Sequence, residues 1–216
     1  MKRKLEYIYK RLYSVFGAQH WWPADSVFEI MVGAILTQNT SWSNVQKAIL
    51  TLKRKKLLTA LKLSQLPQGQ LAGLIKSSGY YNVKAARLKS FLKFFFKRYA
   101  AKNKLMGKQD PGALRDQLLT VKGIGPETAD SILLYALHKP VFVVDTYTKR
   151  ILSRHGLIRE ETDYSQCQDI FMRNLRNDVQ LFGEYHALLV KLGKDYCLKQ
   201  NPKCETCPLW SIKSAW

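Results

Sequence analysis

The chain has 216 residues, of which 46% are hydrophobic and 24% charged. This composition is ordinary for a globular protein and excludes wholesale disorder. Lysine and arginine number 35 against 16 aspartate and glutamate residues, so the formal net charge is +19 at pH 7. Such an excess attracts polyanions, chiefly nucleic acid or an anionic membrane surface. No stretch approaches the roughly 18 apolar residues that cross a bilayer, and the basic start lacks the apolar stretch of a signal peptide.

Apolar residues repeat at intervals of three or four along most of the chain, which is the period of an amphipathic helix. The clearest such segments, in chain order, are Leu5 to Phe16, Val27 to Leu36, Val45 to Leu52 and Ala85 to Phe95. The only run of strand-forming residues is Val141 to Val144, and it is short. The pattern predicts an all-α fold of about ten helices with short connections.

Two segments of the middle of the chain need interpretation. The aromatic and basic run from Phe91 to Arg98 could be a basic amphipathic membrane element. Because the run is short, a core-facing helix with a solvated basic edge is the favoured interpretation. The lysine-rich stretch from Ala101 to Pro111 is predicted to be a mobile surface loop.

Two glycines separate two predicted helices in the segment Val121-Lys122-Gly123-Ile124-Gly125-Pro126. Glycine permits backbone conformations that are closed to residues with a Cβ, and Pro126 suits the first turn of a helix. We expect Ile124 to be buried in the core. The hairpin would then present backbone amides and the Lys122 cation to a phosphate oxygen. An ordinary glycine-stabilised corner between helices is the alternative.

This hairpin resembles that of the helix-hairpin-helix DNA glycosylases, whose signature continues through a short loop to an aspartate. Asp145 stands at that place, and from the residues alone it suits the N-cap of a helix from Thr146 to His155. The resemblance implies that its carboxylate faces the sugar of a flipped-out nucleotide, where it stabilises positive charge and orients a water molecule. The implied DNA-binding residues of the hairpin are Lys122, Gly123, Ile124, Gly125, Glu127 and Thr128.

Family members that also cut the strand use a lysine that forms a Schiff base with the sugar. It lies two residues after the second glycine, where this chain has Glu127. Lys122 lies on the other side of the glycines and does not match. The resemblance therefore implies a monofunctional glycosylase that uses water.

A second segment, Thr37-Gln38-Asn39-Thr40, resembles the family's polar wedge, which fills the gap left by the flipped base. Gln38 or Asn39 matches the wedge. Together with Glu127, the Trp21-Trp22-Pro23 run and Trp42 look most like the branch that contains 3-methyladenine DNA glycosylase III. Aromatic faces suit a cationic alkylated base through cation–π attraction, so Trp21, Trp22 and Trp42 are candidates for the base pocket. Core packing is the alternative for each tryptophan.

Three cysteines near the end, Cys197, Cys204 and Cys207, have the spacing C-x₆-C-x₂-C. This resembles the 4Fe–4S loop of endonuclease III, but Lys213 stands at the fourth cysteine position. Thiolate clusters usually have four ligands, and only three cysteines are present in this motif. The sequence therefore leaves three alternatives open: a 4Fe–4S cluster, a zinc ion and a loop without metal. Cys167 lies outside the motif, and we expect it to be a small buried hydrophobic residue.

The resemblance implies two helical lobes. The first is a six-helix barrel at residues 24–138 with the hairpin motif at 113–137. The second joins residues 1–23 to 139–216 and includes the cysteine loop at 197–207. The expected partner is double-stranded DNA with damaged bases, bound by a monomer in the cytoplasm at the nucleoid. The expected activity is release of an alkylated purine by Asp145 and water. The alternatives are an endonuclease III-type glycosylase and AP lyase acting on oxidised pyrimidines, and a non-catalytic DNA-binding module.

Overall fold

The structure is a computed structural model that describes residues 1–100 and 109–210. Within these ranges every regular element is helical, which confirms the all-α prediction. The α-helices are α1 (Lys2–Phe16), α2 (Val27–Leu36), α3 (Trp42–Arg54), α4 (Ala60–Gln65), α5 (Gln68–Leu74), α6 (Tyr81–Phe95), α7 (Pro111–Leu119), α8 (Pro126–Ser131), α9 (Thr146–Arg154), α10 (Tyr164–Asn174) and α11 (Val179–Asp195). A 3₁₀ turn covers Lys76–Ser78, and π-helical turns cover Phe96–Ala100 and Ile132–Ala136.

The chain divides into two compact units. The central unit is Ala24–Lys139, and the terminal unit combines Met1–Pro23 with Pro140–Trp216. Most of the loop predicted from Ala101 to Pro111 lies outside the described residues. In the described ranges, no helix is both long and apolar enough to cross a membrane.

The core of the central unit is built on α2 and α6. Helix α2 is buried from Met31 to Leu36, because its residues are apolar or small on every face. On α6, Phe91 and Leu92 are buried, whereas Lys93 and the following Lys97 are exposed. The aromatic and basic run is therefore a core-facing helix with a solvated edge, as predicted.

Four aromatic side chains form the core of the terminal unit: Phe142, Phe171, Phe182 and Tyr185. The rings of Phe142 and Phe171 stack with centroids 3.7 Å apart, and the Tyr185 hydroxyl donates a hydrogen bond to the Leu5 carbonyl at 2.9 Å. That bond joins α1 to α11 within the unit. It also gives the buried phenol a partner, which a buried hydroxyl requires.

The run Val141 to Val144 is buried along its whole length but pairs with no strand in the described residues. The Phe142 carbonyl accepts a hydrogen bond from the Gln168 side chain at 2.6 Å. The run is thus an extended connection through the core that leads directly to Asp145 and α9. Its β-branched residues reflect burial and not a sheet.

Candidate functional site

The glycine hairpin between α7 and α8 has one glycine that the backbone requires. Gly123 has φ +89°, a conformation that L side chains rarely adopt, and a Cβ there would also collide with the Arg87 side chain. Gly125 instead is the extended N-cap of α8, with φ −96° and open space around it. The backbone conformation that glycine permits is therefore used at Gly123 and not at Gly125.

The hairpin has an outer and an inner side. Lys122, Gly125 and Glu127 are exposed, and Pro126 opens α8 at its first position as predicted. Ile124 and Thr128 are each only 5% exposed. Ile124 therefore plugs the hairpin into the core, as the sequence predicts. Of the six predicted DNA-binding residues of the hairpin, these two have buried side chains.

The predicted wedge segment lies against the inner side of this hairpin. The Gln38 amide nitrogen donates to the Gly123 carbonyl at 3.0 Å and to the Thr128 hydroxyl at 2.8 Å. The Arg87 guanidinium donates to the Gln38 amide oxygen. Asn39, by contrast, is exposed and has a left-handed backbone with φ +53°. Of the two candidates for the wedge, Gln38 is thus engaged with the hairpin and Asn39 is turned to solvent.

An ion pair fastens the two helices of the hairpin to each other. The Arg115 guanidinium of α7 makes two hydrogen bonds to the Asp130 carboxylate of α8, at 2.7 and 3.1 Å. The Asp130 side chain is fully buried. Two parallel bonds between a guanidinium and a carboxylate fix orientation as well as distance, so the pair holds the hairpin geometry.

Asp145 is the N-cap of α9, and its Oδ1 accepts the Thr148 backbone N–H at 2.7 Å. Its Oδ2 lies 3.6 Å from Nε2 of His186 on α11, and the Asp145 side chain keeps 12% of its surface exposed. Burial alone would raise the pKa of this carboxyl, but His186 and the Thr148 amide outweigh burial and lower it. The geometry thus favours an ionised carboxylate with a fixed direction. The predicted cap is confirmed, and α9 ends one residue before the expected His155.

The three tryptophans predicted for the base pocket are all partly exposed. Trp21 and Trp22 belong to the terminal unit, where their ring centroids lie 5.2 Å apart. The Lys194 ammonium lies 6.0 Å from the Trp21 ring. Trp42 is the first residue of α3 in the central unit.

The three motif cysteines line one cavity of about 230 Å³ in the terminal unit, together with Arg154, His155 and Trp210. Burial raises the pKa of the Cys207 thiol, and the neighbouring Cys197 and Cys204 raise it further. Among residues 1–100 and 109–210, however, no three histidine, cysteine or acidic side chains converge closely enough to hold a metal ion. The described side chains therefore form no preformed site for a zinc ion or for an iron–sulfur cluster. Lys213, at the fourth cysteine position, lies outside the described residues.

Two arginines of α9 hold this cysteine loop. Arg150 donates to the carbonyls of Cys197 at 2.8 Å and Gly193 at 3.0 Å. Arg154 donates to the carbonyls of Leu198 at 2.6 Å and Lys199 at 2.9 Å, and to the Cys197 sulfur at 3.4 Å. The loop thus has a polar anchor made by protein groups alone.

The fourth cysteine, Cys167, is fully buried in α10, as predicted. Burial raises the pKa of its thiol to about 11, so the side chain stays a neutral thiol at pH 7. A neutral buried thiol is a poor nucleophile and packs as a small hydrophobic residue.

Sequence reasoning missed two residues of these sites, Arg87 and His186. Arg87 is 49 residues from the Gln38 that it binds, and His186 lies on a different helix from Asp145. No local spacing connects either pair. The short motifs around the hairpin and Asp145 could therefore not have indicated them.

Proteins with similar sequences indicate the family of this chain. The model of the HhH-GPD superfamily base excision DNA repair protein matches residues 32–177. A Methanocaldococcus jannaschii protein named as a DNA repair glycosylase is 47% identical over 204 residues, which cover 94% of this chain and 92% of that protein. Endonuclease III of Thermotoga maritima is 30% identical over 184 residues, which cover 83% of this chain and 79% of that enzyme.

Solved structures lead to the same family. H. pylori 3-methyladenine DNA glycosylase (MagIII), bound to 1,N6-ethenoadenine, superposes with a TM-score of 0.76 at 30% identity, covering 88% of this chain and 97% of that one. An endonuclease III–DNA complex superposes with a TM-score of 0.84 at 22% identity, covering 98% and 94% of the two chains, and shows the common fold. The chain therefore belongs to the HhH-GPD superfamily of base excision DNA repair proteins, the DNA glycosylases related to endonuclease III.

Proposed function

We propose that the protein is a monofunctional DNA glycosylase that hydrolyses the N-glycosidic bond of an alkylated purine in duplex DNA. The observation that carries this proposal is the Asp145 carboxylate. It lies at the N-terminus of α9, keeps part of its surface exposed, and has a lowered pKa because His186 and the Thr148 amide stabilise its charged form. The carboxylate is therefore ionised at neutral pH without needing a metal or a second acid.

In the proposed reaction, Asp145 acts on charge that develops as the bond between base and sugar breaks. The anomeric carbon becomes positive, and a fixed carboxylate stabilises that charge more in the transition state than in the substrate. The same carboxylate accepts a proton from the water that attacks the sugar. The base leaves with its electron pair, and a methylated purine is a good leaving group because it is already cationic.

The absence of a lyase step is proposed from Glu127. In the strand-cutting members that this hairpin resembles, a lysine occupies this position and attacks the sugar. Glu127 is an exposed carboxylate of the first turn of α8 and cannot form a Schiff base. Its charge is favourable at a helix N-terminus, which gives it an adequate structural role.

Binding to the duplex is proposed for the outer side of the hairpin and for Asn39. Lys122, Gly125 and Glu127 are the exposed hairpin residues, and Lys122 supplies the cation for a phosphate. Asn39 is the proposed wedge, because its left-handed turn and exposure leave the side chain able to enter a duplex. The net charge of +19 supports a large, salt-dependent affinity for DNA.

Two observations support the alkylated purine as substrate. MagIII, a 3-methyladenine DNA glycosylase, is 30% identical over almost its whole length. Trp21, Trp22 and Trp42 are each partly exposed, and an exposed aromatic face attracts a cationic base by cation–π interaction. The second candidate is an oxidised pyrimidine, which the 30% identity to an endonuclease III supports.

The test is a base-release assay on a duplex with methylated purines and on a duplex with an oxidised pyrimidine. Free base is quantified, and strand breaks are counted with and without alkali. We expect release of methyladenine, with breaks only after alkali. Release of oxidised pyrimidine with direct breaks would replace the proposal by the endonuclease III type. DNA binding without release from either duplex would favour a non-catalytic module.

For the cysteine loop we keep two alternatives. The C-x₆-C-x₂-C spacing supports a 4Fe–4S cluster, in which case Cys197, Cys204 and Cys207 would hold it and it would stabilise the loop. The hydrogen bonds from Arg150 and Arg154 support a loop held by protein groups alone. Analysis of iron and acid-labile sulfide in anaerobically purified protein decides between them. Four irons per chain would establish the cluster, and protein without iron, zinc or any other bound metal would establish the arginine-held loop.

A further inference from the structure

The Asp145 carboxylate is held from two different helices of the terminal unit. Thr148, on α9 itself, donates its backbone N–H to Oδ1 at 2.7 Å. On the other side, Nε2 of His186 on α11 lies 3.6 Å from Oδ2. A cap hydrogen bond alone leaves the carboxylate plane, and with it the second oxygen, able to turn about the Cβ–Cγ bond. A contact to the second oxygen fixes the plane of the carboxylate.

The place of His186 is set by the close packing of α9 against α11. His186 and Gly193 are seven residues apart on α11, so they lie on the same face, two turns from each other. At Gly193 a Cβ would collide with the Tyr147 side chain of α9. Arg150, also on α9, donates to the Gly193 carbonyl at 3.0 Å. Gly193 thus permits the close approach that brings His186 to the start of α9.

We propose that His186 is a positioning residue that fixes the orientation and the ionised state of the Asp145 carboxylate. The proposal rests on the catalytic role proposed for Asp145. His186 is 6% exposed and stands on an apolar helix face with Leu189. In such a place the interaction between the imidazole and the carboxylate is weakly screened. The orientation of the Asp145 carboxylate therefore depends on α11, which carries His186 about forty residues further along the chain and packs against α9.

The other titratable groups around Asp145 do not provide the same contact. On α10, the Cys167 thiol is neutral because burial raises its pKa to about 11. The Tyr164 hydroxyl, at the start of α10, faces the Val144 N–H at 3.4 Å. On α9, the Lys149 charge acts on Cys167 and on Asp163. His186 is the group that reaches the Asp145 carboxylate in an ion-pair geometry among the described residues.

The first test measures the carboxylate itself and needs no enzymatic activity. In protein with ¹³C-labelled aspartate, the Asp145 carboxyl resonance is assigned as the one missing from Asp145→Asn, and it is titrated with pH. In His186→Asn we expect its midpoint to move to higher pH, because a stabilising partner of the charged form is gone. His138→Asn is the matched control, since His138 is an exposed histidine of the central unit. An unchanged midpoint in His186→Asn would overturn the proposal.

The second test follows base release under single-turnover conditions across pH. Because release needs the carboxylate in its ionised form, activity is lost as the pH falls through its pKa. We expect His186→Asn to move this acid limb to higher pH and to slow release by about tenfold to a hundredfold, the cost of a misplaced catalytic group. DNA affinity should stay within about twofold, since the hairpin is untouched. Equal rates and equal acid limbs in variant and wild type would refute the positioning role.

A conservative variant separates positioning from simple packing. In His186→Gln, a side-chain amide can still donate toward Oδ2 but carries no charge. We expect it to recover part of the rate lost in His186→Asn, whereas the midpoint of the carboxyl titration stays raised. Circular dichroism of each variant checks that the helices are intact. Since the carboxyl titration is read in free protein, it keeps its meaning even for a wild type that releases neither of the two tested bases.

Discussion

At the scale of the residue, Asp145 joins a structural role to the proposed chemical one. Its Oδ1 caps α9, and its charge is the group that we propose to act on the sugar. Asn is an equally good N-cap, so Asp145→Asn removes the charge and keeps the cap. We predict a fall in base release of about 10²-fold or more with DNA affinity unchanged, measured by single-turnover release and by fluorescence anisotropy. Release at the wild-type rate would remove Asp145 from the catalytic site.

Lys122 gives a prediction about binding alone. It is exposed beside Gly123 at the outer side of the hairpin. We predict that Lys122→Ala weakens binding to any duplex sequence and lowers the slope of log affinity against log salt by about one. Lys55→Ala, an exposed lysine at the end of α3, is the control that tests for a general loss of charge. A salt slope equal to that of the wild type would place Lys122 outside the DNA contact.

The residues that sequence reasoning placed correctly have a local signature. Asp145 precedes a helix, Pro126 follows a glycine at a helix start, and Ile124 is an isolated apolar residue in a polar turn. His186 and Arg87 have no such signature. Each acts on a partner far along the chain, and a histidine or an arginine on a helix has many ordinary uses. Only the folded chain brings each one to its partner.

At the scale of the element, the hairpin depends on a buried charge pair. Asp130 has no exposed surface, and Arg115 holds it with two hydrogen bonds. We predict that Arg115→Met destabilises the protein by about 3–5 kcal/mol, because it removes the guanidinium charge that balances a buried carboxylate. The measurement is denaturant unfolding at pH 7.

The double variant is the matched control for that prediction. With Arg115→Met and Asp130→Leu together, no charge is left buried, and apolar side chains fill the same space. We expect the double variant to recover most of the lost free energy of unfolding. A double variant as unstable as Arg115→Met would mean that packing, and not charge, accounts for the loss.

The helices were predicted from periodicity better than the connections between them. Helix α1 buries Leu5, Ile8 and Leu12, at the spacing the pattern indicates. The run Val141 to Val144 has the residue types of a strand but crosses a core of helices and aromatic rings. The residue types of a segment indicate that it is buried, whereas its secondary structure depends on the elements that pack against it. For the same reason the cysteine spacing identified a loop but not the arginines that hold it.

At the scale of the whole molecule, the net charge of +19 links DNA binding to stability. The excess of lysine and arginine favours binding of a polyanion such as DNA. When no polyanion is bound, the positive charges repel one another. Carboxylates moderate that repulsion while they are ionised. A duplex that neutralises the lysines should therefore stabilise the fold as well as occupy the proposed site, since a ligand bound only by the native state raises its stability.

The dependence of stability on pH follows from three helix caps. Asp145, Asp163 and Asp178 each have a pKa lowered below the ordinary 3.8. For Asp163 and Asp178 the main cause is the backbone amide that each one caps, and for Asp145 His186 and Thr148 outweigh burial. A carboxyl whose folded pKa lies below its unfolded value contributes stability above the unfolded value, and this contribution is lost as the pH falls through the folded one.

We therefore predict that the free energy of unfolding decreases steeply below about pH 4. Protonation of the caps also raises the net positive charge, so added salt should restore part of the loss by screening the repulsion. Denaturant unfolding between pH 3 and pH 7, at low and high salt, measures both effects. Asp163→Asn keeps its cap but does not titrate, so its stability should decrease less between pH 5 and pH 3. Equal decreases in variant and wild type would show that the Asp163 cap does not contribute to acid unfolding.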